Sequence, residues 1–214
     1  MTLELPLLDG GSFSWVLPHP AALLNVLARA PVFAEMLVER LAAVPSTFEK
    51  PWELIMYVDE CSCGNLLARD PSRKCWAIYV SYKELGLEIL PHESAWQVAG
   101  ILRTQTAATI DGGFATAATM YLECVFGRLE GANFRHGVTV HTASGVLTIF
   151  ATLGFTIGDE AALKSLWRFK GSSGFRPCGV CANVVNTRLV PALGSLVGLG
   201  VRTRRSWSSI LTHH

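Results

Sequence analysis

The chain has 214 residues, half of them hydrophobic and 16% charged, with a formal net charge of +1. That length gives one large domain, or one domain with a small appendage, and a core that needs neither disulfides nor metals to form. A mean hydropathy of +0.34 raises membrane insertion. Yet the longest run without Asp, Glu, Lys or Arg, residues 136–158, holds two histidines, five threonines, a serine and four glycines. It reads as β-strands, not as a membrane span of ~20 apolar residues.

Residues 1–18 carry Pro6, Gly10, Gly11 and Pro18 and read as irregular. Helical spacing follows over residues 21–44, divided in two at Pro31 and closed by Pro45. Residues 52–58 (WELIMYV) form the clearest strand, apolar on both faces and so expected at the centre of a sheet; Asp59-Glu60 ends it. Residues 76–82 (WAIYVSY) form a second strand. Ser94 to Gln97 matches a capping box, and Ala95, Val98, Ala99 and Leu102 make an apolar stripe, which predicts a helix from Ser94. A second helix is expected over residues 115–126, strands over 138–142 and 146–157, and a short helix over 161–169. Residues 171–181 form a turn-rich knuckle, and the rest is apolar, interrupted by glycine, and ends in a basic cluster at residues 202–205. Strands and helices in this order predict a mixed α/β domain.

The net charge hides an asymmetry. Residues 1–163 carry 10 basic and 17 acidic side chains; residues 164–214 carry 8 basic and none acidic. An anionic partner for the C-terminal quarter is one explanation, and a solvated basic tail the other. The first basic residue is Arg29, and Glu4 stands where a secretory signal would be positive. The expectation is an intracellular protein without membrane contact. Six cysteines in that setting imply free thiols or a metal rather than disulfides.

Two constellations could carry chemistry. Asp59-Glu60 and Asp159-Glu160 each close a predicted strand. On neighbouring strands the two aspartates would stand ~5–10 Å apart at one sheet edge, a spacing that holds Mg²⁺ or Mn²⁺ for phosphodiester chemistry. The alternative is structural: Asp159 as a helix N-cap and Asp59 as a turn residue. The second constellation is Cys178-Gly-Val-Cys181, preceded by Gly171 and Gly174. It offers two of the four ligands a structural Zn²⁺ needs, with Cys61 and Cys63 or His213 and His214 as further donors, or it is a pair of inert or redox thiols. His136 and His141 lie five apart on an expected strand, hence on opposite faces, and read as structural.

The string from Tyr57 through Asp59, Glu60, Cys61, Ser62 and Cys63 to Gly64 and Asn65 resembles the strand-ending D-D/E-x-x-x-G-N element of eukaryotic transposases of the CACTA/Plavaka kind. It is also similar to that of the Kyakuja–Dileera–Zisupton group. The later string, from Gly158-Asp159 through Gly171 and Gly174 to Cys178 and Cys181, looks like their second element. The resemblance spans roughly residues 50–185. It implies an RNase H-like mixed sheet with flanking helices and a cysteine-containing turn insertion, in a nuclear protein that cuts and joins DNA with divalent metal. Asp59 and Asp159 would match the first two catalytic carboxylates, and Cys178 and Cys181 the zinc-type pair. Residues 1–48 would form an N-terminal helical segment, 49–185 the core and 186–214 a basic tail facing DNA. One departure matters: these enzymes need a third carboxylate after the second Asp, and residues 161–214 contain no Asp or Glu. The expectation is therefore a DNA-binding, catalytically incomplete relative. A zinc-stabilised nucleic-acid-binding module and a genomic relic without selected function are the alternatives.

Overall fold

The computed structural model describes residues 1–62, 73–128 and 133–168. The chain divides into two units, Met1–Ile157 and Gly158–His214. In the first unit, residues 2–16 are not irregular but form an antiparallel hairpin of β1 (Thr2–Pro6) and β2 (Ser12–Val16). Leu3, Leu5 and Trp15 alternate inward along it, and Gly10 makes the turn at φ 86°. Pro6 sits at the strand end, where its missing N–H costs no ladder bond. Two helices follow, α1 (Pro20–Leu27) and α2 (Pro31–Ala43), divided at Pro31 as expected. Each opens on a proline in its first turn, where the absent donor would have had no partner within the helix.

The centre of the unit is a mixed four-stranded sheet. Its strands are β3 (Trp52–Ser62), β4 (Lys74–Tyr82), β5 (Gln97–Arg103) and, far along the chain, β8 (Ala151–Ile157), in the order β5-β4-β3-β8. The first three form an antiparallel meander. β8 returns beside β3 and runs parallel to it. The helix expected from Ser94 is the clearest correction: only one 3₁₀ turn, Glu93–Ala95, precedes β5. Gln97, Ala99, Gly100 and Leu102 are buried there, whereas Val98, Ile101 and Arg103 are exposed. Pairing with β4 overrides the local helical signal, as tertiary context commonly does for short segments.

Between β5 and β8 the chain forms α3 (Thr104–Thr109) and α4 (Gly113–Glu123), which runs on into a π-helical turn at Cys124–Arg128. A second hairpin, β6 (Val138–Thr142) with β7 (Gly145–Ile149), makes its own two-stranded sheet. The strand expected over 146–157 is thus two strands that part at Phe150 and pair in different sheets. His136 lies in the turn before β6 rather than on a strand, so it shares no strand with His141.

Trp52, Leu54, Met56 and Val58 face the main core and are almost fully buried. On that side Trp76 stacks on Phe114 of α4 with ring centroids 4.7 Å apart. Trp15 lies over Gly100, where an added Cβ would come within 2.8 Å of the indole, and its Nε1 donates to the Ile101 carbonyl at 2.9 Å. The opposite face carries Ile55, Cys75, Ala77 and Ser81, which are buried, and Tyr57, Tyr79, Val98, Ile101, Phe155 and Ile157, which are not. Gly154 makes the β-bulge that keeps β8 in step with β3: a Cβ there would approach Glu53 Cβ to 2.6 Å.

One buried polar side chain ties stability to pH. His19 caps α1 by accepting from the Ala21 amide at 3.1 Å, and its ring stacks on Phe134. Burial, helped by the nearby positive amino terminus, holds the imidazole below its ordinary value near 6.5. The unfolded chain therefore takes up the proton first. The contribution of the neutral ring is complete above pH 6.5 and is lost as pH falls through the folded value. Glu84 has the opposite sign, since burial raises its carboxyl above 4.5, so its contribution is lost as pH rises through its folded value. His19→Asn keeps a capping oxygen and removes the titration. Urea midpoints measured from pH 7.5 to 5 should fall less steeply for the variant than for the wild type. Parallel curves would show that His19 does not carry the acid sensitivity.

In the second unit the described element is α5 (Glu160–Trp167), close to the expected 161–169. The turn insertion at 171–181 and the basic tail at 186–214 lie outside the described residues.

Candidate functional site

Asp59 stands inside β3, not at its end. The antiparallel ladder with β4 continues through Cys61–Cys75 to Ser62–Lys74 and carries Asp59 opposite Ala77. Strand alternation then sends Asp59 and Glu60 to opposite faces of the sheet. Glu60 lies on the helix-covered side, where it accepts from Lys74 Nζ at 2.8 Å and from Thr104 Oγ1 at 2.9 Å. Asp59 is half-buried on the other face, and among the described residues no donor or cation pairs with its carboxylate. Of the two acids, Glu60 is structural and Asp59 keeps its oxygens available.

Asp159 is the N-cap of α5. Its Oδ1 accepts from the Ala162 amide at 2.6 Å, with the backbone extended at φ −67° and ψ 172°. One oxygen is thus committed to the helix start, a role worth ~1 kcal/mol, and the residue is exposed. The register of the parallel pair runs to Tyr57 opposite Ile157; Asp159 follows two residues later, in the second unit.

Cys178 and Cys181, Gly171 and Gly174, Cys63, Gly64 and Asn65 all lie outside the described residues, so the zinc expectation does too. Cys61 and Cys75 face each other across β3 and β4. Among the described residues no three His, Cys, Asp or Glu side chains gather closely enough to hold a metal ion. His141 meets Asn25 through its backbone amide at 2.9 Å, in keeping with a structural role. Of the eight basic residues beyond position 163, Lys164 and Arg168 are described. Lys164 pairs with Glu160 one helical turn back, at 2.6 Å. No single described helix is long and apolar enough to cross a membrane.

One concavity escapes a residue-by-residue inspection of the sequence. Tyr57, Tyr79, Glu93, Trp96, Val98 and Ile157 line a hollow of about 610 Å³ on the sheet face that also carries Asp59. Tyr57 and Tyr79 are direct cross-strand partners with centroids 5.6 Å apart. Trp96, at the entry to β5, meets Tyr57 edge-on at 6.2 Å, and its indole N–H is held by the Leu90 carbonyl at 2.8 Å. The two tyrosines show in the sequence only as alternate positions of two strands, and Trp96 was hidden inside the wrongly expected helix.

Comparison with protein-family models, curated proteins and solved structures gives no match for this chain, so its function is argued from the arrangement of its own residues.

Proposed function

We propose that this chain is a transposon-derived RNase H-like domain that binds DNA through its basic C-terminal quarter and is catalytically incomplete. The observation that carries the proposal is the sheet. A meander of three antiparallel strands is followed, after a helical crossover, by a fourth strand parallel to and beside the first. That is the strand pattern an RNase H-like core asks for, and the β3 aspartate of the matching motif belongs to its central strand. In parallel neighbours the C-terminal ends share one sheet edge, where sites in α/β sheets commonly form.

By the sequence resemblance, Asp59 and Asp159 would be the divalent-metal ligands of the proposal. The Asp59 carboxylate, unpaired among the described residues, and the second oxygen of Asp159 are chemically suited to Mg²⁺ or Mn²⁺. Such an ion would activate water and neutralise charge on a phosphodiester. With no Asp or Glu in residues 161–214, the chain lacks the third carboxylate, and strand transfer by this chain alone is not expected. The cap made by Asp159 favours a second reading, a zinc-stabilised binding module without nuclease chemistry, in which Cys178 and Cys181 supply the metal ligands.

Calorimetric titration of Mn²⁺ into the wild type, Asp59→Asn and Asp159→Asn separates the two. Asparagine caps a helix about as well as aspartate, so Asp159→Asn removes charge and leaves α5 intact. The expected result is one Mn²⁺ binding event that both substitutions abolish. An isotherm left unchanged by either one overturns the paired assignment and leaves the binding module.

A further inference from the structure

Four polar atoms of the first unit are buried and, among the described residues, have no hydrogen-bond partner: His19 Nε2, the hydroxyls of Tyr82 and Tyr121, and Gln97 Oε1. A buried donor or acceptor left in that state costs free energy, and native cores satisfy most of them. The four share one side of the central sheet. Tyr82 stands opposite Leu54, which places its ring on the main-core face. Gln97 lies opposite Val80, two residues before Tyr82 on β4. Gln97 and Tyr82 are therefore diagonal neighbours on that face, roughly 7–8 Å apart at their Cα atoms. Tyr121 lies seven residues beyond Phe114 on α4, on the same helical stripe, and Phe114 stacks on Trp76 of the sheet. Burial pushes both phenols above their ordinary range, and the nearness of Tyr121 raises Tyr82 further. His19 comes in from the start of α1: its ring stacks on Phe134, and Phe134 in turn meets Tyr82 at 6.0 Å.

The donors and acceptors of this group complement one small molecule. Nδ1 of His19 accepts from the Ala21 amide, so the proton of the neutral ring sits on Nε2, which can only donate. Gln97 Oε1 can only accept, and the two hydroxyls do either. None of the four bonds to another, so whatever joins them stands between them. A water has two donors and two acceptors to give. It can accept from Nε2–H and from one hydroxyl, and donate to Oε1 and to the other hydroxyl. A metal cation would meet the proton on Nε2 and an anion would meet Oε1, so neither ion satisfies the set. We propose that His19, Tyr82, Gln97 and Tyr121 hold an ordered water inside the core, linking the start of α1 to β4, β5 and α4. Apolar packing alone brings these elements together; hydrogen bonds through the water add direction, which favours one arrangement over its near neighbours. The site lies wholly within the first unit and does not depend on the RNase H-like proposal.

Oxygen-17 relaxation dispersion on the full chain at neutral pH counts the waters that stay longer than the protein takes to tumble. The double variant Tyr82→Phe/Tyr121→Phe keeps both rings and removes both hydroxyls, so the apolar packing that folds the core is retained. Its dispersion amplitude should be smaller than that of the wild type by about one water. Each single variant should lower the urea midpoint by roughly 0.5 M, since a bonded hydroxyl is lost. The sign is decisive. A hydroxyl that is dry and unpaired is better replaced by hydrogen, so a midpoint raised by either substitution overturns the proposal. A lowered midpoint with an unchanged dispersion amplitude overturns it as well, because the hydroxyls would then be bonded to protein groups.

Discussion

Replacing Trp52 with alanine lowers the unfolding free energy by about 3–5 kcal/mol, the range for truncating a large buried aromatic. Trp52 opens the central strand at 1% exposure and packs on Tyr82 at 6.1 Å. Its Nε1 donates to the Val44 carbonyl at 2.9 Å, joining the end of α2 to the start of β3. Alanine leaves a cavity and an unpaired carbonyl together, and the two costs add. Against the roughly 5–15 kcal/mol that stabilises a typical domain, the variant loses a large share of its margin. Urea denaturation followed by circular dichroism measures the difference. A loss under about 1.5 kcal/mol, the scale of a single methylene deletion, would mean that this corner of the core is loosely packed.

The other large expected effect concerns DNA. If the eight basic residues of the C-terminal quarter engage about six phosphates, affinity falls about a thousandfold between 50 and 200 mM salt through counterion release. Fluorescence anisotropy with a labelled duplex at four salt concentrations gives the slope of log K against log salt, expected near −5. Neutralising Arg202, Arg204 and Arg205 together should make that slope shallower by up to about three. A slope near zero, or one that the triple variant leaves unchanged, would show that the acid-free segment is a solvated tail and not a phosphate-binding surface.

The strands of the central sheet were legible where burial on both faces made long apolar runs, as in β3 and β4, and where prolines marked the starts of α1 and α2. β5 was not, because Ala95, Val98, Ala99 and Leu102 fit helical spacing while Gln97, Ala99 and Leu102 also satisfy a bulged strand. What decides is the free edge of β4, which demands a partner, and that demand is not local to the segment. The first hairpin was missed for a related reason: Pro6 and Gly10 read as breakers when they mark a strand end and its turn.

The carboxylates divided in the same way. Asp159 as a helix cap was visible from its position before an apolar run. Asp59 within a strand depended on how far β4 extends the ladder, which the local turn residues concealed. The aromatic hollow needed the register of β3 against β4 and the place where β5 begins, and neither is written in any one stretch of sequence.

The parallel pairing of β3 with β8 has a consequence for synthesis. Trp52 finds its neighbour at Ala151, about 100 residues further along the chain. Ribosomes add about 5–20 residues each second, so one flank of β3 stays open for about 5–20 seconds while the hairpin and meander are already available. Pairing across so wide a loop is also slow, because closure entropy is lost before any contact is gained. During that interval the WELIMYV stretch is open to wrong strand pairing, and Glu53 within it and Lys50 just before it are the charges that act as gatekeepers.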